Sequence, residues 1–209
     1  MPDGDSTATD RQLPVFEQRV VRARVVDAPA GDTFAAIRRI DFMRSPVIAA
    51  PNLARMAFDA VRAPRHRTVR ARRAVRLGDL IGPQGGFEVV AEEPGRELVL
   101  GFVGRWWEPG YGRVDWDPGT PLSSISVPEC GVGTWSFTVL PYGAQTCVLL
   151  TEIRVHGTDE KARRLFRRYW TAAGPFVRAM ARPTLSMIAA EARRRPAVPS
   201  QTSHRRNRE

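Results

Sequence analysis

The sequence predicts an α+β fold in which a curved antiparallel sheet wraps around one long C-terminal helix. Three observations point to it. Residues 134–140 and 146–155 are strand-like runs joined by the turn residues Pro141-Tyr142-Gly143-Ala144, the pattern of an antiparallel hairpin. This hairpin leads through Gly157 and Thr158 into a segment of helical periodicity that continues to about residue 195. Upstream, one strand and two short helices precede a run of further strands, an order that gathers the helices on one side of an antiparallel sheet.

Each element has its own signal. Residues 1–13 are rich in Asp, Ser and Thr, a composition that predicts disorder. In 16–26, Arg22 and Arg24 alternate with Val21, Ala23 and Val25, which predicts a half-exposed strand. The run Ala28-Pro29-Ala30-Gly31-Asp32 ends it, and Asp32 is the expected cap of a short helix with Phe34, Ile37 and Ile40 on its buried side. Pro51 suits the first turn of a second helix carrying Leu53, Met56, Ala57, Ala60 and Val61. Residues 66–75 read as a strand with a basic face, 87–91 as a short strand, and 97–107 as a long one after the turn Glu93-Pro94-Gly95.

Residues 109–131 are the least regular part, and a loop of that length in a compact domain is a functional lid or an edge excursion; Tyr111 and Trp116 are its aromatic anchors. Thr158 is the expected N-cap of the last helix, with Asp159 and Glu160 in its first turn. Leu165, Phe166, Tyr169 and Ala173 form an apolar stripe. Gly174-Pro175 should break or kink this helix, and Pro183 should bend the following segment, which carries Phe176, Val177, Met180, Leu185, Ile188 and Ala192.

The composition narrows the classes of function. The 209 residues, 43% of them hydrophobic, suit one domain with a sizeable core, expected over 15–195 between a disordered segment 1–14 and a basic disordered tail 196–209. No apolar run has the ~18 residues of a membrane span. Residues 1–13 do not resemble a signal peptide, and Cys130 and Cys147 form neither a disulfide framework nor a metal spacing, so a reducing cytoplasm is expected. The net charge of +10 is carried almost wholly by arginine, Lys161 being the only lysine. Without a helix-turn-helix, zinc finger or RNA-binding aromatic signature, that charge predicts no specific nucleic-acid site. His66, His156 and His204 are too scattered for a metal constellation. Gly82-Pro83-Gln84-Gly85-Gly86 leads into a strand, whereas a phosphate-cradling loop opens a helix.

The element order, together with Val25-Val26-Asp27-Ala28-Pro29-Ala30 before the first helix, resembles the START-like or polyketide cyclase (SRPBCC) superfamily. The stretch from Phe87 through Glu93-Pro94-Gly95-Arg96 to Gly101, the run Thr151-Glu152-Ile153-Arg154-Val155, and Phe166-Arg167-Arg168-Tyr169-Trp170 are similar to an uncharacterised branch also found joined to short-chain-dehydrogenase-like domains. The resemblance implies a helix-grip fold around a deep apolar cavity, a small hydrophobic molecule as partner, and no redox cofactor. A homodimer is left open.

Period-two alternation assigns faces. Trp135, Phe137 and Val139 should face inward; Leu98, Leu100, Phe102 and Trp106 oppose Val99, Val103, Arg105 and Trp107. Glu152 and Arg154 share one face of their strand. If it is concave they are a buried carboxylate and guanidinium fit for acid/base or anion-anchoring work; if convex they are an exposed ladder beside His156. The alternative face, Leu149, Thr151, Ile153 and Val155, is more apolar, which favours convex. With Tyr169, whose hydroxyl can meet a ligand, this pair completes the candidate catalytic set. Candidate substrate contacts are Arg105, Trp106, Trp107, Tyr111, Trp135, Phe137, Trp170 and Phe176. Two readings follow: a cyclase or dehydratase acting on an apolar, polycyclic-type substrate, or a non-catalytic carrier of a hydrophobic ligand or lipid.

Overall fold

The computed structural model describes residues 6–49, 75–82, 85–108, 112 and 114–194. The helix expected after Pro51, all but the last residue of the strand expected over 66–75, Tyr111 and the basic tail lie outside the described residues.

Five strands, β1 (Gln18–Val26), β2 (Glu88–Glu93), β3 (Glu97–Gly104), β4 (Gly131–Pro141) and β5 (Cys147–Gly157), form one antiparallel sheet in the order β1-β5-β4-β3-β2. The helices are α1 (Ala8–Gln12), α2 (Ala30–Arg39), α3 (Leu77–Leu80) and α4 (Glu160–Ala192). The sheet grips α4 on its concave face, the helix-grip arrangement the sequence predicts.

The hairpin β4–β5 pairs Pro141 with Cys147, and Gly143 takes the turn's left-handed conformation at φ 86°, which glycine adopts without a Cβ clash. Its register places Trp135 opposite Ile153 and Phe137 opposite Thr151, so these residues share a face. Trp135, Phe137 and Val139 are buried with Leu98, Leu100, Leu149, Ile37, Leu185 and Ile188 in one cluster. The inward assignment of the β4 set therefore holds, and of the two opposed sets of β3 it is Leu98, Leu100 and Phe102 that share this side.

Helix α4 corrects two expectations. It runs unbroken through Gly174, Pro175 and Pro183 as 33 residues. Each proline lacks the amide that would bond the carbonyl four residues back, Thr171 for Pro175 and Ala179 for Pro183; the hydroxyls of Thr171, Thr184 and Ser186 bond other carbonyls, those of Arg168, Met180 and Arg182. Packing against the sheet along most of its length overrides the local penalty. Gly174 is required by close approach, since a Cβ there would lie 2.9 Å from the Trp170 indole nitrogen. The cap is Asp159, whose carboxylate accepts from the Ala162 amide at 2.7 Å, while Thr158 donates to the carbonyls of Val127 and Cys130. Hydrogen bonds from the Ala162 and Glu129 amides hold the Asp159 carboxyl below its ordinary pKa. Likewise α2 begins at Ala30 behind Pro29, and Asp32 lies inside its first turn.

The N-terminal segment departs furthest from expectation. Residues predicted disordered include α1, closed by a reciprocal capping box between Thr7 and Asp10. The amides of Ala8 and Thr9 and the Thr9 hydroxyl all donate to the Glu97 carboxylate, which is buried. Leu13 inserts among Val103, Leu122, Cys130 and Val132 on the convex face. A polar composition thus becomes ordered because distant side chains satisfy its donors and one leucine anchors it. The long loop is also no lid over the concave side, as far as it is described. Trp116 and Leu122 pack over Gly101 on the convex face, pinning the loop to the sheet.

Candidate functional site

The concave face carries a ladder of aromatic rings. Phe42 lies 5.7 Å from Trp135 by centroids, Trp135 lies 5.8 Å from Phe87, and Phe87 lies 5.1 Å from Phe102. Phe102 lies 5.1 Å from Trp106, Trp106 lies 5.8 Å from Phe166, and Phe166 meets Trp170 at 5.4 Å and Tyr169 at 6.1 Å. Tilted and edge contacts at these distances are individually favourable. Glycines in β4 make room for the ladder: a Cβ on Gly133 would sit 2.4 Å from the Phe102 ring, and one on Gly131 would sit 2.5 Å from Trp106. Gly133→Ala should therefore cost about 1–3 kcal/mol by overpacking. Chemical denaturation checks it; an unchanged midpoint would mean that the ring moves aside freely.

The ladder joins two packed ends. At one end, Phe137 is 0% and Trp135 5% exposed, so the gap between sheet and α4 is filled there. At the other, Phe166 and Trp170 close over Val20 and Val155. Between them Phe102 and Ile153 border both clusters and are only half-buried although they sit on inner strands. Phe87, Val89, Trp106, Tyr169, Val177 and Met180 are likewise half-buried on this side. These apolar side chains keep accessible surface on the concave side of the sheet, between the two packed clusters.

This geometry sorts the expected site residues. Trp106, Trp107 and Tyr169 are partly buried against the cluster of Val20, Val155, Phe166 and Trp170. Phe176 is half-buried on α4 beside Val177. Trp135 and Phe137 belong to the filled core, a correction to their role as ligand contacts, because so little of their surface remains accessible. Trp135 is further fixed by its indole N–H, which donates to the Thr151 hydroxyl at 2.9 Å while that hydroxyl donates to the Ser136 carbonyl. Arg105 donates to the carbonyls of Glu129 and Pro128, so its guanidinium holds the loop. Phe87, Val89, Ile153, Val177 and Met180 were not among the expected site residues. The alternation of β5 marked Ile153 as apolar-side, but half-burial of an inner-strand residue emerges only after packing.

Glu152 and Arg154 lie on the convex face, opposite Ser136 and Thr134, which corrects the acid/base reading of this pair within a cavity. They are no exposed ladder either. Arg154 is 4% exposed, bonded to Glu152 at 2.5 Å, to Asp10 at 2.6 Å and to the Leu13 carbonyl at 3.1 Å, with the Phe16 ring 4.8 Å from its guanidinium carbon. The pair ties the N-terminal segment to the sheet. Burial opposes ionisation of Asp10, but hydrogen bonds from Thr7 and Arg154 and the Arg154 charge outweigh it and hold the carboxyl below its usual pKa.

The Trp170 indole N–H is buried without an acceptor. Burial raises the pKa of the Cys130 thiol, which suits packing and not nucleophilic attack. Among the described residues no group of His, Cys, Asp and Glu is placed to hold a metal, and no helix is long and apolar enough to cross a membrane.

The chain matches no family model and no curated protein. Among solved structures it is similar to protein MLL2253 from Mesorhizobium loti, at 17% identity over 86% of this chain and 100% of that one, with a TM-score of 0.37. Norcoclaurine synthase from Thalictrum flavum, solved with dopamine and hydroxybenzaldehyde, is 14% identical over 89% of this chain and 94% of its own, with a TM-score of 0.35. The di-domain aromatase/cyclase BexL of the BE-7585A biosynthetic pathway is 14% identical over 84% of this chain and 46% of its own, with a TM-score of 0.27. Likenesses of this strength carry no argument about activity. The fold rests on the strand order and the placement of α4.

Proposed function

We propose that the protein binds a flat, largely apolar small molecule in a cleft between the sheet and the middle of α4, as a binder or carrier. The observation behind this reading is the run of half-buried Phe87, Phe102, Trp106, Ile153, Tyr169, Val177 and Met180 between two packed ends. Aromatic edges and faces at such spacing suit a planar ring system. The unfilled Trp170 donor favours a ligand with an acceptor oxygen at one end. The binder reading is preferred to a cyclase or dehydratase because Glu152 and Arg154, the charged pair expected to do chemistry, face away from the cleft. Tyr169 favours the second reading, since its place on the cleft flank makes it the candidate to give a substrate a hydroxyl.

Fluorenone and fluorene share one ring frame and differ in a carbonyl, which makes them matched probes. Fluorenone is expected to quench tryptophan fluorescence at lower concentration than fluorene and to raise the melting temperature, because only the folded state has the cleft. Val177→Trp should fill the cleft and abolish the quenching; Trp170→Phe should erase the preference for fluorenone. Equal, weak quenching by both probes in all three proteins would defeat the proposal. Loss of turnover with intact binding in Tyr169→Phe, for any substrate the parent converts, would establish the enzyme reading instead.

A further inference from the structure

The edge strand β1 presents its residues in an unexpected sense. Val20 pairs with Ile153 and Val26 with Cys147, both on the concave side, so Arg22 and Arg24 between them face α4. Arg24 donates to the Ser186 hydroxyl of α4 at 3.1 Å. Arg182 and Arg178 lie one and two turns before Ser186 on the same flank, and Arg178 stands over the Trp170 ring. Since Val20 packs with Trp170 while Arg24 meets Ser186, Arg22 falls beside the turns that carry Arg178 and Arg182. Four guanidiniums thus line the seam between β1 and α4, and none of them forms an ion pair with a carboxylate among the described residues. The Arg22 guanidinium donates through Nη1 to the Val21 carbonyl at 2.7 Å, while its Nε is buried without an acceptor. On the other side of the same strand, Ala23 is exposed and Val25 is 61% exposed.

We propose that β1 accepts an extended acidic polypeptide segment as an added strand, with carboxylates on the arginine side and apolar residues on the Val21, Ala23 and Val25 side. Three features carry this. Among the described residues, strand β1 is the outer member of the sheet and has nine residues without proline or bulge, so it offers a row of backbone groups, one of which, the Val21 carbonyl, already accepts from the Arg22 guanidinium at 2.7 Å. Its charge is complementary to carboxylates, and the buried Arg22 donor needs an acceptor. A second copy of this chain is the poorer occupant, because antiparallel self-pairing centred on the strand sets arginine against arginine.

The test uses the full chain and a fluorescein-labelled octapeptide of alternating glutamate and valine, with an N-methylated version of equal charge as control. Fluorescence anisotropy should show saturable binding of the first peptide. The N-methylated peptide, which lacks half its edge donors, should bind about tenfold more weakly, and Arg22→Glu and Arg24→Glu should each weaken the first peptide by a similar factor. Far-ultraviolet circular dichroism of the variants separates lost binding from lost folding, and Arg182→Glu, on the exposed helix flank, supplies a variant that leaves the sheet untouched. Equal binding of both peptides, or equally tight binding of duplex DNA or phosphatidylserine vesicles that displaces the peptide, would show a plain polyanion surface and overturn the proposal. A dimer that dissociates in Arg24→Glu would overturn it in favour of self-association.

Discussion

Replacing Phe137 by alanine is expected to lower stability by about 3–5 kcal/mol, as loss of a fully buried ring does. The ring is 0% exposed and stacks at 5.0 Å on Trp135, within the cluster that joins the sheet to Leu185 and Ile188 of α4. Removing it leaves a cavity that Trp135, held by its hydrogen bond to Thr151, is not free to fill. Urea denaturation followed by circular dichroism measures the loss, and a change under about 1 kcal/mol would mean that the β4 face is not core. Phe137→Leu should recover part of the loss, since it restores volume without the ring.

Arg154→Met should cost about 1–3 kcal/mol, although this residue is on the opposite face, because it strips a buried carbonyl of its donor. The change leaves the Leu13 carbonyl without its buried donor, cuts the tie to Asp10, and leaves the Glu152 carboxylate to Arg19 alone, whose Nε donates to it at 2.6 Å. The N-terminal segment should detach before the sheet unfolds, so amides of α1 lose hydrogen-exchange protection while those of β4 and β5 keep theirs. Unchanged protection in α1 would show that the three bonds to Glu97 suffice to hold it.

The same tie has a pH dependence with a definite sign. The Asp10 carboxyl is held below its ordinary value in the folded state, so its contribution is full above the unfolded pKa and is lost as pH falls through the folded one. Acid should therefore loosen α1, and Arg154→Met should flatten that part of the stability profile. Because Asp10 remains partly exposed, salt should weaken the effect.

What was legible in the sequence was whatever depends on local periodicity. The alternation Trp135, Phe137, Val139 named the inner face of β4, and the stripe through Phe166, Leu185 and Ile188 named the buried side of α4. Turn residues set the β4–β5 hairpin and the β2–β3 turn, where Gly95 sits at φ 81°. Together these specify an antiparallel sheet with a helix on one side, because each strand has one apolar face to bury and α4 supplies the matching stripe.

Tertiary structure alone decided the rest, and it did so wherever two readings were equal in local energy. Pro175 and Pro183 looked like breaks because a helix in isolation loses a hydrogen bond at each, but packing against the sheet outweighs those losses. Residues 6–13 looked disordered because their partners, Glu97 and Arg154, lie about ninety and one hundred and forty positions away. Arg22 and Arg24 of β1 face α4, since the register set by Val20 and Val26 fixes every residue between them. The partial exposure of Ile153 and Phe102 is likewise non-local: both are apolar on any reading, and only the spacing between the two packed clusters leaves them partly uncovered. Periodicity tells a residue which side of its own element it occupies. Whether that side is then covered depends on elements far away in the chain.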